Sequence, residues 1–295
     1  MSKIKNFALL GAAGYVAPKH MKAIHDCGHN LLVALDKSDS VGILDSYFPN
    51  ANFFTEIERL DRYLDKNMNK GNQIDYFSIC TPNHLHHSHI RFALDHNANV
   101  ICEKPLVVNI KNFDLLKNLE KKSEKKIFTI LQLRLHDEIN KLKSKIDSNN
   151  KKFYEVELTY ITPRGKWYDY SWKGDENKSG GIITNLGIHF FDILIYLFGN
   201  FEKSYLHYSN KVCASGNLIL KNAKVKWFLS TNRDHLPLNE NINFLTSNLT
   251  EIGINVKEIV VVEDDEEQII YHVNCLKVKY DYLFTSGGIG PTHDD

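Results

Sequence analysis

Hydrophobic residues in the first 126 positions form short continuous runs, separated by stretches with the spacing of amphipathic helices. The runs "KNFALL", "NLLVALD", "IDYFSIC" and "ANVICEK" have the length and composition of buried strands. Between them, "VAPKHMKAIHDCG", "EIERLDRYLDKN" and "HLHHSHIRFALDHN" have helical spacing. Strands that alternate with helices through short connections are typical of βαβ units. We therefore predict an α/β Rossmann domain with a doubly wound parallel sheet over residues 1–126.

The pattern changes after residue 126. "KKFYEVELTYITPRG" and "ASGNLILKNAKVKWFLSTN" are long strands in which apolar and polar residues alternate, as in a sheet with one covered face. The helical segment "IITNLGIHFFDILIYLFG" lies between them. We predict an α+β substrate and oligomerisation domain with an open, mainly antiparallel sheet over residues 127–236.

A third pattern begins at residue 237. "NENINFLTSNLTEIGI" and "DEEQIIYHVNCLKVKY" have helical spacing, whereas "KEIVVVED" and "DYLFTSGG" resemble strands. Residues 237–295 are therefore predicted to form a partial αβαβ segment, which does not continue the antiparallel sheet.

Composition narrows the classes of partner. Acidic and basic residues balance at 36 each, so no net charge draws the chain to nucleic acid or to an acidic membrane face. No apolar run approaches the ~20 residues of a membrane span. The five cysteines are scattered and form no CxxC pair, which favours reduced thiols over a disulfide framework or a zinc site. We expect a cytoplasmic protein with neither nucleic acid nor a membrane as partner.

The first turn carries the features of a nucleotide site. "GAAGYVA" places Gly11 and Gly14 between the first strand and its helix, where glycine lets the backbone approach a pyrophosphate at the helix N-terminus. Asp36 ends the second strand, where a carboxylate bonds ribose hydroxyls and repels a 2′-phosphate, which favours NAD over NADP. The alternative for the turn alone is a glycine turn in an unrelated α/β fold.

A lysine follows the strand "ANVIC". In a doubly wound sheet the carboxyl ends of the strands face the ligand crevice, so Lys104 of "ICEKPL" is positioned to accept a proton beside a nicotinamide ring. The alternative is a surface lysine after a strand.

A helix about 80 residues later supplies a second candidate. Asn185 and His189 are four apart on one helix face, and Asp192 lies three positions further on. Asp192 either orients the imidazole of His189 or is a solvated helix residue, and a lone histidine on such a helix is more often structural. The lysine motif and this helix together are more specific than either alone.

Several motifs resemble one known family over about residues 4–236. "GAAGYVAPKHMKAI", "CTPNHLHHSHIRFAL", "EKPL" and "LQLRLHDEI" resemble the nucleotide domain of the glucose–fructose oxidoreductase/inositol dehydrogenase/MocA (Gfo/Idh/MocA) oxidoreductases. "RGKWYDYSWKGDENKSGGIITNLGIHFFDILIYLFG" is similar to members that oxidise C3 of UDP-N-acetyl-glucosaminuronate. The family's lysine and histidine correspond to Lys104 and His189. Many members have Asp at the position of Asn185, but this subgroup commonly has Asn. Asp137 departs from the subgroup, which usually has Pro there.

The resemblance implies an NAD-dependent 3-dehydrogenase of a UDP-sugar uronate in the synthesis of bacterial surface polysaccharide (O-antigen). Some members recycle the bound cofactor with 2-oxoglutarate, and members associate through the open sheet as homo-oligomers, either dimers or tetramers. The implied cofactor contacts are Gly11, Ala13, Gly14, Tyr15, Val16, Asp36, Thr81, Pro82, Asn83, His86, Glu103, Lys104 and Gln132.

The segment "PRGKWYDYSWKGDENK" combines cations with aromatic rings. Arginine pairs with phosphate or carboxylate, and an aromatic ring stacks on uracil or a sugar face, so the segment suits a UDP-uronate. The alternative is a solvated loop with aromatic anchors at an oligomer interface. The expected substrate contacts are Arg164, Trp167, Tyr168, Trp172, Lys173, Thr184, Asn185 and His189.

Two other segments invite interpretation. "NHLHHSH" (residues 83–89) looks like a metal cluster, but nothing elsewhere in the sequence completes a ligand set, so we predict no metal. In the family this loop lies along the cofactor. "EKKSEKK" (residues 120–126) is predicted to be the solvated end of a helix.

The final residues resemble a second family, the molybdopterin-binding domain of CinA-like proteins and molybdenum-cofactor enzymes. "GGIGPTHDD" matches its glycine loop, which implies ligand-side positions at Gly287, Gly288, Gly290, Asp294 and Asp295. The match suggests a domain cut at both ends, joined near residue 237 to a truncated dehydrogenase, so no function is expected of this segment. Two alternatives to a working dehydrogenase follow: an inactive chain that retains only dinucleotide binding, and a pterin-binding protein.

Overall fold

The computed structural model describes residues 3–68, 72–148, 152–236 and 266–279. The chain divides into two compact units. The first unit comprises Met1–Tyr160 and Lys166–Thr231, and the second comprises Ile161–Gly165 and Asn232–Asp295.

A six-stranded sheet forms the first half of the first unit. Its strand order is β3-β2-β1-β4-β5-β6, and each neighbouring pair is parallel. This order, with the chain running outward in both directions from β1 and β4, is the predicted doubly wound topology. The strands are β1 Asn6–Leu10, β2 Asn30–Leu35, β3 Asn52–Phe54, β4 Tyr76–Ile79, β5 Asn99–Cys102 and β6 Ile127–Thr129.

Helices cover both faces of this sheet. Phe77, Ile79 and Ile90 belong to the apolar cluster on one face, whereas Leu9 and Met21 belong to the cluster on the other. The charged run at residues 120–126 includes the end of α5, as predicted. The helices of this half are α1 Ala17–Asp26, α2 Ile43–Tyr47, α3 Ile57–Met68, α4 His86–Asp95 and α5 Lys111–Ser123. The next helix, α6 Asp137–Ser148, instead packs in the apolar cluster of the second sheet through Ile146.

A second, four-stranded sheet has the order β7-β10-β9-β8, and its β8–β9 and β9–β10 pairs are antiparallel. The long strand expected from "ASGNLILKNAKVKWFLSTN" is instead a hairpin, because Lys221 and Asn222 form a turn and asparagine favours turns. β8 was not predicted, since all its residues are exposed and its sequence lacks a buried alternation. The strands are β7 Tyr154–Ile161, β8 Phe201–Ser209, β9 Cys213–Leu220 and β10 Ala223–Ser230.

An apolar helix covers the second sheet. α9 Ile188–Phe198 follows a π-helical turn at Ile183–Gly187, and Leu194 and Leu197 pack in a cluster with Trp227 of β10. Two shorter helices precede it, α7 Lys166–Tyr170 and α8 Glu176–Ser179. Glu176–Phe198 also has the length and hydropathy of a membrane-crossing segment, a test that a soluble protein's core helix passes as well.

The second unit contributes one described helix, α10 Glu266–Lys279, which agrees with the helix predicted from "DEEQIIYHVNCLKVKY". The other elements predicted for residues 237–295 lie outside the described residues. The same is true of the positions Gly287, Gly288, Gly290, Asp294 and Asp295.

Candidate active site

The turn between β1 and α1 is packed so closely that it leaves little room for a side chain at Gly11 and Gly14. Gly11 has φ +88°, and a Cβ there would lie 2.7 Å from the carbonyl carbon of Cys80 and from the amide nitrogen of Thr81. A Cβ on Gly14 would lie 3.0 Å from the carbonyl oxygen of Gly11. Only glycine fits at position 11, because its positive φ value strains other residues and the neighbouring backbone leaves no space for a Cβ atom. The turn therefore packs directly against the end of β4, next to Cys80 and Thr81.

Asp36 lies against the same turn, just after β2. Its Oδ2 accepts a hydrogen bond from the Ala13 amide at 3.0 Å, and its Oδ1 accepts one from the Ser38 amide at 2.9 Å. Tyr15 is exposed beside them, and Val16 is half-buried at the start of α1. A bare backbone turn with a carboxylate at its edge fits the pyrophosphate and ribose of a dinucleotide.

The loop after β4 is held by its own histidines. His86 is fully buried, with Nδ1 2.7 Å from the carbonyl oxygen of Pro105 and Nε2 2.8 Å from that of Thr81. Burial lowers the pKa of His86. The Thr81 hydroxyl lies 2.9 Å from Nδ1 of His89. His86 therefore supports the loop that carries Thr81 and Pro82, and both its ring nitrogens already face protein carbonyls.

Asn83 connects this loop to the second half of the unit. It is buried, and its Nδ2 donates to the carbonyl oxygen of Ser179 at 2.8 Å and to Oδ1 of Asn185 at 3.4 Å. Asn83 therefore faces the predicted substrate residue Asn185.

Lys104 reaches the same asparagine from the end of β5. Its Nζ donates to the carbonyl oxygen of Asn185 at 2.8 Å and to Oδ1 at 3.4 Å. The structure thus brings together Asn83, Lys104 and Asn185, which are distant in sequence.

Glu103 has partners that the sequence did not reveal. Its Oε1 accepts from Nε2 of His20 at 3.0 Å, and Nδ1 of that histidine lies 2.6 Å from the hydroxyl of Ser78. Burial alone would raise the pKa of Glu103, but the bond from His20 and the backbone amide of Lys104 outweigh burial and lower it. A mostly buried, ionised carboxylate therefore accepts hydrogen bonds at the strand end that carries Lys104.

His189 stands one helical turn after Asn185. Burial, followed by the positive charge of Lys104, lowers its pKa to about 4, so the imidazole is neutral at pH 7. Its Nδ1 is buried and has no hydrogen-bond partner among the residues that the structure describes. His189 is therefore an uncharged imidazole beside a cation.

Asp192 takes neither of the two roles that the sequence suggested. Its carboxylate accepts two hydrogen bonds from the guanidinium of Arg134, and its side chain is only 9% exposed. It is therefore neither solvated nor bonded to His189. Arg134 lies in the 3₁₀ turn Gln132–Leu135, whose first residue, Gln132, is exposed.

The predicted substrate segment forms an aromatic cluster on and after α7. The rings of Trp167 and Tyr168 meet edge to face at 5.8 Å, and Nζ of Lys173 lies 5.2 Å from the centroid of the Trp167 ring. Trp172 begins a 3₁₀ turn next to Lys173. Arg164 is half-buried and belongs to the second unit.

Two clefts open near the π-helical turn. One measures about 440 Å³, with Asn109, Glu176 and Asn210 among its lining residues. The other measures about 340 Å³ and includes Thr184 and Asp192 in its lining. Of the predicted substrate residues, Thr184 is among those that line the second of these two clefts.

The histidines of residues 83–89 do not converge on a common point. Among the described parts of the chain, the ligand atoms close enough to share a metal belong instead to Asp61, Asp65 and His96. His96 Nε2 already donates to Asp61 at 2.8 Å.

Family comparisons divide the chain into three. Residues 5–131 match the oxidoreductase family, NAD-binding Rossmann fold, and residues 146–225 match the C-terminal alpha/beta domain of the same family. Residues 227–295 match a probable molybdopterin binding domain. The probable FAD synthase of Caenorhabditis briggsae is 47% identical over 55 residues, which are 19% of this chain and 10% of that protein.

The glucose-6-phosphate 3-dehydrogenase of Bacillus subtilis is 24% identical over 205 residues, which are 66% of this chain and 54% of the enzyme. The chain thus spans about a tenth to a half of these two relatives.

Solved structures extend the likeness. The WlbA (WbpB) dehydrogenase of Thermus thermophilus in complex with NAD and alpha-ketoglutarate is 44% identical, with a TM-score of 0.77, and the match covers 82% of this chain and 78% of that chain. A complex of this dehydrogenase with NAD and UDP-GlcNAcA is 40% identical, with a TM-score of 0.75 and coverage of 93% and 89%. The chain belongs to the Gfo/Idh/MocA oxidoreductase family, and residues 5–131 are its NAD-binding Rossmann fold.

Proposed function

We propose that this chain is an NAD-dependent 3-dehydrogenase of a UDP-N-acetyl-hexosaminuronate. The observation that carries the proposal is the meeting of Lys104 with Asn185 at the carboxyl end of β5, one helical turn from the neutral imidazole of His189. UDP-GlcNAcA and NAD occupy the Thermus thermophilus dehydrogenase together, at 40% sequence identity, which supports both ligands.

Different residues of the Rossmann domain contact different parts of NAD. The pyrophosphate would lie at the N-terminus of α1, beside the turn of Gly11 and Gly14, and Asp36 would accept from a ribose hydroxyl. Bound NAD supplies the hydride acceptor. The further contacts that we propose are Ala13, Tyr15, Val16, Thr81, Pro82, Glu103 and Gln132.

Lys104 and His189 are the candidates to take the proton of the substrate hydroxyl. His189 is already in its basic form at neutral pH, but a pKa of about 4 makes it a weak acceptor. Lys104 would be the stronger base once its ammonium has lost a proton. The carbonyl oxygen of Asn185 fixes the position of Nζ in either case.

Contacts to the UDP-sugar are proposed for the cationic and aromatic residues of the substrate segment. A guanidinium or ammonium pairs with a diphosphate or carboxylate, and an indole stacks on a flat ring. The cation–π pair of Lys173 with Trp167 places both chemistries side by side. The other contacts proposed within the first unit are Tyr168, Trp172, Thr184, Asn185 and His189.

We further propose that 2-oxoglutarate recycles the cofactor, which the alpha-ketoglutarate complex of the Thermus thermophilus dehydrogenase supports. The exposed apolar residues of β8, including Tyr205 and Leu206, support a homo-oligomer formed through that sheet. A UDP-uronate substrate suits a cytoplasmic step of O-antigen synthesis.

The test incubates the purified chain with NAD and UDP-N-acetyl-glucosaminuronate, with and without 2-oxoglutarate, and follows reduced-nicotinamide absorbance and 3-keto sugar. Glucose 6-phosphate serves as the comparison substrate. We expect turnover of the UDP-uronate alone. Turnover of glucose 6-phosphate instead would reassign the substrate class. NAD binding by calorimetry without turnover of either sugar would favour a chain that only binds dinucleotide.

A further inference from the structure

A partly buried ion pair involves Asp192, which lies on the same helix as His189. The guanidinium of Arg134 grips both carboxylate oxygens of Asp192 through Nε and Nη2, and its carbon Cζ lies 5.5 Å from the centroid of the Tyr196 ring. Two parallel hydrogen bonds together with a ring contact fix the plane of the guanidinium and hold the carboxylate. The pair joins the segment after β6 to α9, the helix that carries His189.

Asp192 and His189 are three residues apart on α9, a spacing that places side chains on the same face of a helix. His189 offers a buried Nδ1 that has no hydrogen-bond partner among the described residues. Histidines of active sites commonly donate this nitrogen to a carboxylate, which orients the ring and stabilises the imidazolium. Here a suitable carboxylate stands one turn away and is bonded to another residue.

We propose that Arg134 is a positioning residue that withholds the carboxylate of Asp192 from the imidazole of His189. The proposal deepens the proposed function and rests on it for its catalytic meaning. The contacts on which it depends involve only Arg134, Asp192 and His189.

Several charged groups act on His189. Lys104 and Glu103 face it from the end of β5, and Asp192 acts from its own helix. Arg134, in the turn after β6, and Lys143 of α6 lie 5.5 and 5.7 Å from the ring of Tyr196, on the same helix as His189. Lys104 disfavours the imidazolium, whereas the two carboxylates favour it. Burial is the largest cause of the lowered pKa of His189, and the part that Arg134 can change is the pull of Asp192.

Keeping the imidazole neutral has a chemical purpose. A protonated His189 beside the ammonium of Lys104 would put two cations next to each other, and neither would accept the proton of a hydroxyl group. Bonded to Arg134, Asp192 draws a proton onto the ring less strongly than a free carboxylate would. The site then keeps a neutral imidazole next to Lys104 throughout the neutral pH range.

The decisive measurement is the titration of His189 by NMR in protein with labelled histidine rings, with the signal assigned by its loss in His189→Gln. In the native protein we expect the ring to stay neutral down to about pH 5. In Arg134→Met the freed carboxylate should raise the titration midpoint by about one unit or more, a tenfold gain in proton affinity. Arg134→Lys keeps the charge without the paired bonds, so its midpoint should lie between these values.

The double variant Arg134→Met/Asp192→Asn is the matched control. It removes the carboxylate together with its restraint, so the midpoint should return to the native value or fall below it. An unchanged midpoint in folded Arg134→Met would overturn the proposal and leave Arg134 a structural residue. If Arg134→Met does not fold, Arg134→Lys and Asp192→Asn decide: the first must raise the midpoint and the second must not.

This titration does not require turnover. A chain that shows the shift but oxidises no UDP-uronate would contradict the proposed function and keep the role of Arg134. In an active chain, the acid limb of the kcat/KM profile should move to higher pH by the same amount as the NMR midpoint. A loss of kcat/KM that is equal at all pH values would point to a structural defect instead.

Discussion

Nζ of Lys104 lies 2.8 Å from the backbone carbonyl oxygen of Asn185, although 81 residues separate them in the sequence. The donor follows a parallel strand, and the acceptor lies in a π-helical turn. π-Helical turns inside helices frequently occur at functional sites, because the widened turn changes which backbone groups are available. The position of the lysine is therefore set by backbone geometry on a neighbouring element.

Replacing Lys104 by methionine tests whether Lys104 takes part in the reaction. The apolar chain fills a similar volume but can neither take up a proton nor bond to Asn185. We expect kcat/KM for the UDP-uronate to fall by about 10²–10⁴-fold, with NAD affinity retained. Calorimetry with NAD and the absorbance assay provide the two readouts.

Lys22→Met is the matched control, because Lys22 is an exposed lysine of α1. It should keep native activity. Native activity in Lys104→Met as well would remove Lys104 from the mechanism.

The glycine turn allows a comparison of two substitutions. Alanine at Gly11 combines the strain of φ +88° with contacts of 2.7 Å to backbone atoms, whereas alanine at Gly28 has φ +70° but no atom within 4 Å. We expect Gly28→Ala to cost about 1–2 kcal/mol from strain alone. Gly11→Ala should cost a further 1–3 kcal/mol or so, because backbone must move to relieve the overlap. Urea unfolding measures both.

The same two variants distinguish backbone strain from the loss of NAD binding. NAD affinity should fall in Gly11→Ala and persist in Gly28→Ala. Equal costs in the two variants would show that the turn relaxes easily and that the close packing at Gly11 is unimportant.

The nucleotide half of the fold could be predicted from the sequence because its signals are local. Strand–helix alternation, the glycines of the first turn and Asp36 all lie within short windows, and the structure places Asp36 against Ala13. The short elements α2 and β3 were not predicted, because a helix of five residues and a strand of three are too short to show a periodic pattern.

The arrangement around the lysine was only partly predictable. The motifs identified Lys104 and His189. Their surroundings were not identified, because Arg134 lies 58 residues from its partner Asp192, and His20 lies 83 residues from its partner Glu103. A pairing over such distances leaves no mark in one sequence. The π-helical turn was also unforeseen, because the apolar pattern of residues 181–199 fits an uninterrupted α-helix.

His20 is expected to be structural for the site. In His20→Phe, Glu103 loses its bond from the imidazole while remaining mostly buried. An unsatisfied buried acceptor costs about 1–3 kcal/mol, so the variant should unfold at lower urea. Turnover should also fall, because Glu103 accepts the backbone amide of Lys104.

His25→Phe on the same helix is the control, since His25 is about half exposed and should tolerate the change. Equal stability of the two variants would show that Glu103 finds another partner.

His89 gives the protein a predictable pH dependence. Burial, followed by the nearby His86 and His84, lowers its pKa from about 6.5 to about 4. Between these values the unfolded chain binds a proton that the folded chain does not. Stability therefore rises with pH across this window, is fully present above about pH 6.5, and is lost as pH falls towards 4. His189 has a similarly lowered pKa and adds to the effect in the same direction.

The variant His89→Asn isolates this contribution. Asparagine can still bond to the Thr81 hydroxyl but does not titrate. The substitution therefore removes the difference of one bound proton between the unfolded and folded chains. The free energy of unfolding should then depend less steeply on pH between about 4 and 6.5, by at most about 1.4 kcal/mol per pH unit. Urea unfolding at several pH values measures the slope. Parallel slopes in the native protein and His89→Asn would mean that His89 titrates equally in the folded and unfolded chains. In that case the burial of His89 in the folded chain would not favour its neutral ring.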